Sequence, residues 1–143
     1  MNYKHTQIGY LIIVVLIVTA ILFGFLLVYV PSHWSVLVLM IAILTILSAF
    51  TYLKVSVNKD TLKICFGYCV YSKSFPLKDI VSVKKVKNHW YYGWGIRFWL
   101  WPKMWIYNVS GFDAVELTFK NGKIVRVGSD DVDNLVKVLS KLL

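Results

Sequence analysis

Residues 8 to 30 read IGYLIIVVLIVTAILFGFLLVYV, and residues 34 to 53 read WSVLVLMIAILTILSAFTYL. At 1.5 Å rise per residue, about 20 residues cross the roughly 30 Å hydrocarbon core of a bilayer, so each stretch predicts a transmembrane helix, 8–30 and 34–53. Pro31-Ser32-His33 separates them, and a proline there predicts a short turn between antiparallel spans. The first stretch is too long for the apolar region of a cleaved signal peptide, and it runs on through Phe23, Phe25 and Leu27 instead of ending in small residues.

Charge supports the division. From Ile8 to Leu53 the single candidate for a charge is His33, and all seven carboxylates fall at or after Asp60. An apolar fraction of 58% is too high for an ordinary water-soluble chain of 143 residues. We therefore expect a transmembrane hairpin over 1–53 and a polar domain over 54–143. Lys4 precedes the first span, Lys54 and Lys59 follow the second, and the turn has neither Lys nor Arg, which predicts both termini on the cytoplasmic side. His5 and His33 lie at the two faces and read as interfacial. Gly9 and Gly24 do not have the spacing of a helix-dimer motif.

Beyond Leu53 the period of the pattern changes from helical to alternating. Val55 and Val57, then Leu62, Ile64 and Phe66, alternate with polar residues about a turn at Asn58-Lys59-Asp60. Further strands are expected at about 69–75, ended by Pro76, and at about 80–87. Asn121-Gly122 marks a hairpin between Val115-Leu117-Phe119 and Val125-Val127. Ser129-Asp130 offers an N-cap to a helix over 130–142, whose apolar stripe is Val132, Leu135, Val136, Leu139 and Leu142. The expected class is α+β: about seven antiparallel strands in a bent sheet or open barrel, with a C-terminal capping helix.

Gly93-Trp94-Gly95-Ile96-Arg97, Tyr107-Asn108-Val109-Ser110-Gly111, Ala114-Val115-Glu116-Leu117 and Val127-Gly128-Ser129-Asp130-Asp131 follow one another in this setting. Together with the order of elements, they resemble the bacterial pleckstrin-homology-like domains of small two-helix membrane proteins. The resemblance covers about residues 54–143 and implies the sheet-plus-capping-helix fold; it brings no established catalytic residues.

Fifteen Lys and Arg against seven Asp and Glu leave the polar domain at +8. Such an excess suits an anionic neighbour, or serves only to hold the domain on its side of the membrane. Lys84, Lys85 and Lys87 form the densest basic cluster, and with Arg97 they are candidates for contact with anionic lipid or a partner. Aromatics beside basic residues also suit single-stranded nucleic acid, but a membrane tether argues against it. Five of the six tryptophans lie between Trp90 and Trp105. Phe98, Trp99, Leu100, Trp101, Lys103 and Trp105 have the composition of a bilayer interface and read as a membrane-contact loop; the alternatives are a protein-binding patch or domain core.

No catalytic motif emerges: there is no P-loop, no dinucleotide-binding glycine fingerprint and no HExxH. Gly93 and Gly95 are expected to permit tight strand geometry beside indoles. Cys65 and Cys69 cannot complete a zinc site and are expected as free thiols in a reducing cytoplasm. No cofactor or metal is expected. The expected role is a noncatalytic interaction module at the cytoplasmic membrane surface, with the bilayer and a membrane or cytoplasmic protein, or a second copy of the chain, as partners and no nucleic acid; the alternative is a sensor of anionic headgroups.

Overall fold

The computed structural model describes residues 2–30 and 34–143. The expected turn Pro31-Ser32-His33 lies outside the described residues. Among the described residues, three helices and nine strands make an α+β fold of two sheets, with no closed barrel.

The first sheet has the order β1-β2-β3-β4, formed by Tyr3–Ile8, Tyr52–Val57, Thr61–Phe66 and Tyr71–Pro76. Its first strand precedes the helices. Ile8 pairs with Tyr52 and Tyr3 with Val57, so β1 and β2 bracket α1 (Tyr10–Tyr29) and α2 (Trp34–Ala49). A boundary at 53/54 therefore does not separate two units: residues before α1 belong to the sheet. The reason is hydrogen bonding, because β2 would otherwise expose a full row of backbone donors and acceptors.

The α1 helix rises over 20 residues, about 30 Å, and contains no buried residue. It is the one described helix long and apolar enough to cross a membrane. The α2 helix is also apolar, though less so, and stops at Ala49, at 16 residues or about 24 Å. The last four residues of the expected second span do not continue it: Phe50 and Thr51 turn, and Tyr52 and Leu53 enter β2. A multi-pass hairpin is thus not established by helix length.

The second sheet has the order β5-β8-β9-β7-β6, with β5 Ile80–Lys87, β6 Gly95–Leu100, β7 Lys103–Asn108, β8 Asp113–Phe119 and β9 Ile124–Gly128. Eight of the nine strands fall in the region expected to hold about seven. Two expectations are corrected here. The β7 strand pairs parallel to β9, so the sheet is mixed. Residues 98–105 are not a loop either. Phe98 pairs with Trp105 and Leu100 with Lys103, and Pro102 lies in the turn, where its missing N–H costs the ladder nothing.

The inner faces of the two sheets share one core. Phe66 and Phe75 of the first sheet meet Tyr107 of the second at 6.3 and 6.2 Å between ring centroids, and Phe75 meets Phe119 at 5.5 Å. The C-terminal helix α3 (Val132–Leu142) packs on β5 and β8 and closes this core with Val132, Leu135 and Leu139. Its N-cap is Asp131, not Ser129 or Asp130. The Ser129 hydroxyl instead accepts from the Asp131 amide and shapes the turn into the helix.

A second, smaller core lies on the outer face of the five-stranded sheet. A single 3-10 turn, Trp90–Tyr92, crosses that face and lays Tyr92 against Met104 and Ile106, with Trp99 alongside. Arg126 sits under the same turn, its guanidinium over the Tyr92 ring at 5.8 Å and paired to Glu116 at 2.8 Å.

Cys65 and Cys69 are bonded, contrary to the expectation of free thiols. The turn between β3 and β4 brings their Cα atoms to 5.0 Å, within the usual disulfide range, with Cys69 in the left-handed region.

Candidate membrane-proximal and edge sites

The residues singled out by composition separate into three places. Phe98, Trp99, Leu100, Trp101, Lys103 and Trp105 lie on the β6–β7 hairpin at the edge of the second sheet. Alternation along β6 sends Phe98 to the inner face and Trp99 to the outer one. Phe98 stacks obliquely on Trp105 at 5.1 Å, and Trp99 packs on Tyr92 at 4.8 Å. The Trp99 indole N–H donates to the Trp101 carbonyl at 2.9 Å and ties down the turn. Trp99 and Trp105 are therefore partly structural, while Leu100 and Trp101 stand out at 63% and 88% exposure, with Phe98 half exposed.

The open end of the hairpin, Gly95 and Asn108, lies at the helix base: Gly95 lines a groove with α1 and α2, and Gln7 of β1 donates to the Ser110 carbonyl at 2.8 Å. Leu100 is five residues further along β6, about 17 Å of strand. The aromatic residue brought to the helix base is Trp94, which composition alone did not distinguish from its neighbours.

The groove measures about 560 Å³. Leu11, Ile12 and Val15 of α1, and Leu47 and Phe50 at the end of α2, form its apolar wall, and Gly93 to Arg97 form the other. Gly93 and Gly95 have φ of 70° and 94°, which glycine adopts without steric cost, so the chain can fold tightly into β6 beside the helices. Arg97 donates from Nε to the Trp94 carbonyl at 3.2 Å and is otherwise exposed. The Trp94 indole N–H is buried and has no hydrogen-bond partner among the described residues.

The basic cluster on β5 does not converge. Lys85 and Lys87 share one face and Lys84 takes the other. Lys85 pairs with Asp133 of α3 at 2.8 Å, and that hydrogen bond holds its ammonium above the usual lysine range. Lys87 is opposite Asp113 and Lys84 opposite Glu116, so every lysine of the cluster has a carboxylate across or beside it. Arg97, the fourth member of the expected set, is remote from them, at the far edge of the sheet.

A different set of lysines lacks such neighbours. On the outer face of the first sheet, register places Lys4, Ser56, Lys63 and Ser74 in one row and Thr6, Lys54, Cys65 and Ser72 in the next. None of the four strands contains Asp or Glu. Lys4, Lys54 and Lys63 are exposed and make no ion pair among the described residues. The sequence alone did not group them, because their proximity comes from pairing between segments far apart in the chain.

Among the described residues, no group of three His, Cys, Asp or Glu side chains is arranged to hold a metal. Comparison with protein-family models, with curated proteins and with solved structures finds no match.

Proposed function

We propose that the chain is a noncatalytic, membrane-anchored interaction module, and that the free edge of β6 receives an extended segment of a second protein. The observation that carries this is the contrast among the four edge strands. Three are protected as sheet edges usually are, by lysines or proline: β1 carries Lys4, β4 carries Lys73 and Pro76, and β5 carries Lys84, Lys85 and Lys87. The fourth, β6, offers Phe98, Trp99 and Leu100, with one cation at Arg97. An unprotected apolar edge favours strand addition, in which backbone hydrogen bonds give affinity and alternate side chains give specificity.

The partner we infer is a different protein, and pairing of β6 between two copies of the chain is the other outcome of the test.

Both helices belong to the anchor in this reading. If α1 crosses a bilayer, β2 must return to the side of β1, because strands cannot pair through hydrocarbon, and α2 is the chain available for the return. Its shortness is accommodated by local thinning or by tilt of its longer neighbour. Lys4, Lys54 and Lys59 support a cytoplasmic position for both termini. The pleckstrin-homology-like assignment is likewise proposed; the antiparallel meander, second sheet and C-terminal helix support it, whereas the parallel β7–β9 pair departs from an all-antiparallel arrangement.

A second reading, contact with anionic headgroups, is favoured by the carboxylate-free lysine face of the first sheet and not by the cluster on β5.

The test of the main reading is photo-crosslinking in native membranes, with a photoreactive residue at Trp101. Capture of a discrete protein should be lost in Phe98→Lys and Leu100→Lys, while membrane integration stays unchanged in both and the melting temperature stays unchanged in Leu100→Lys. Equal capture in those variants would remove β6 as the docking edge.

A further inference from the structure

We propose that the groove at the helix base holds one phospholipid, its acyl chain against Ile12, Val15 and Leu47 and its phosphate on Arg97. The two ends of the groove differ in chemistry in the way such a molecule requires. One wall is made of α1 and α2 side chains that continue upward into fully apolar, unburied helix surface. An acyl chain entering there leaves the bilayer without crossing water.

The opposite wall ends in a cation that the protein leaves largely unused. The Arg97 guanidinium has one bond, from Nε to the Trp94 carbonyl, and no carboxylate partner among the described residues. Its remaining donors suit a phosphate, which guanidinium binds bidentately. An exposed cation thus stands at the mouth of an apolar slot that opens onto the helices.

Depth and size agree with this occupant. The helix residues of the groove span from Leu11 to Val15, about 6 Å along α1, starting within its first turn. The slot therefore straddles the boundary between hydrocarbon and headgroups, where a glycerol backbone lies. A volume of about 560 Å³ is within the usual range for clefts that bury small ligands, about 300–1,000 Å³. The proposal rests on the reading that α1 and α2 stand in a bilayer; it uses the Gly95–Arg97 end of β6, whereas partner docking is tested at Phe98, Leu100 and Trp101.

The experiment uses the full chain, reconstituted in phosphatidylcholine vesicles containing a minority of phosphatidylglycerol and released into mild detergent for native mass spectrometry. The wild-type chain should retain one phospholipid, enriched in phosphatidylglycerol. Ile12→Trp, which fills the slot, should abolish retention. Arg97→Gln should weaken it by about tenfold or more, the usual worth of a charge-assisted hydrogen bond, and Arg97→Lys should recover part of the loss. Because Arg97 is exposed, its variants keep the fold, which circular dichroism checks if Ile12→Trp fails to fold. Equal retention in wild type and Arg97→Gln overturns the proposal. So does a wild-type chain that stays integrated in the vesicles yet carries no lipid, which would leave the groove to an apolar segment of a partner. Release of the chain by an alkaline carbonate wash would instead overturn the bilayer reading on which the site depends, whereas the crosslinking test at β6 would be unaffected by a lipid-free groove.

Discussion

The Tyr3 hydroxyl donates to the Asp131 carboxylate at 3.0 Å, tying the strand before the first helix to the cap of the last. His5 contacts Asp130 beside it. Burial, and then the Asp131 hydrogen bond, push the Tyr3 phenol well above the usual tyrosine range. The phenol is held neutral in the folded state, so its contribution to stability is complete below about pH 10, the pKa of a free phenol, and is lost as pH rises through the folded value. Tyr3→Phe should lower stability at neutral pH by about 1 kcal/mol and make the fall above pH 10 shallower. Melting of wild type and variant across alkaline pH measures both.

Leu135 and Leu139 are fully buried where α3 closes the core. Leu135→Asp or Leu139→Asp should destabilise the chain by about 3 kcal/mol or more, through a lost apolar contact and a carboxyl with no partner. Wild-type melting of both variants in mild detergent would mean that the helix is not docked in solution.

A chain with Trp94 as its single tryptophan should be quenched by lipids brominated near the headgroup, and one with Trp101 alone should be quenched much less. The groove sets Trp94 beside α1, whereas Trp101 is at the outer tip of the hairpin. The opposite order would mean that the second sheet lies flat on the bilayer.

Replacing Lys4, Lys54 and Lys63 by Gln should remove most of the salt-sensitive preference of the chain for phosphatidylglycerol over phosphatidylcholine in vesicles. Each lysine near an anionic surface is worth about fivefold. The same change at Lys84, Lys85 and Lys87 should have a small effect, because Asp133, Asp113 and Glu116 already neighbour them. Motional restriction of spin-labelled lipids compares the two triple variants.

Cys65 and Cys69 are close enough to bond whichever compartment they occupy. The structure holds the oxidised form of the pair. If the sheets face the cytoplasm, as proposed, rapid alkylation of intact cells with a permeant reagent should find the pair in its reduced form, and the bond should close on air oxidation after lysis. A pair that is already oxidised in freshly blocked cells would reverse the orientation derived from Lys4 and Lys54.

Local signals in the sequence were read well. The bounds of β5 at Ile80 and Lys87, the β8–β9 hairpin around Asn121-Gly122, and α3 to within two residues at its start all follow from periodicity and turn chemistry inside one short window. What escaped was non-local. The side chains of β1 that face inward are Tyr3, His5 and Gln7, too polar to signal a strand, and its partner β2 is on the other side of two helices. The β6–β7 hairpin lacks the alternation that marks a strand pair, because large apolar side chains occupy both of its faces, Phe98 and Trp105 on one and Trp99, Met104 and Ile106 on the other. That pattern arises because Tyr92 covers the outer face as the main core covers the inner one. The lysine face and the Trp94 groove depend on the same long-range pairing.

If α1 and α2 cross a bilayer as proposed, bracketing them between paired strands ties closure of the four-stranded sheet to the return of the second helix. Translation delivers Tyr3–Ile8 first and supplies its partner only after both helices, at about 5–20 residues per second, so β1 waits unpaired for some seconds. A molecule whose second helix failed to return would strand β1 and β2 on opposite sides of the bilayer, where no ladder can form. Tyr3 could then not reach Asp131, and β2 would keep a bare edge exposed to proteases and chaperones. Under that reading, a closed sheet is itself the mark of a chain whose two helices lie in the membrane together.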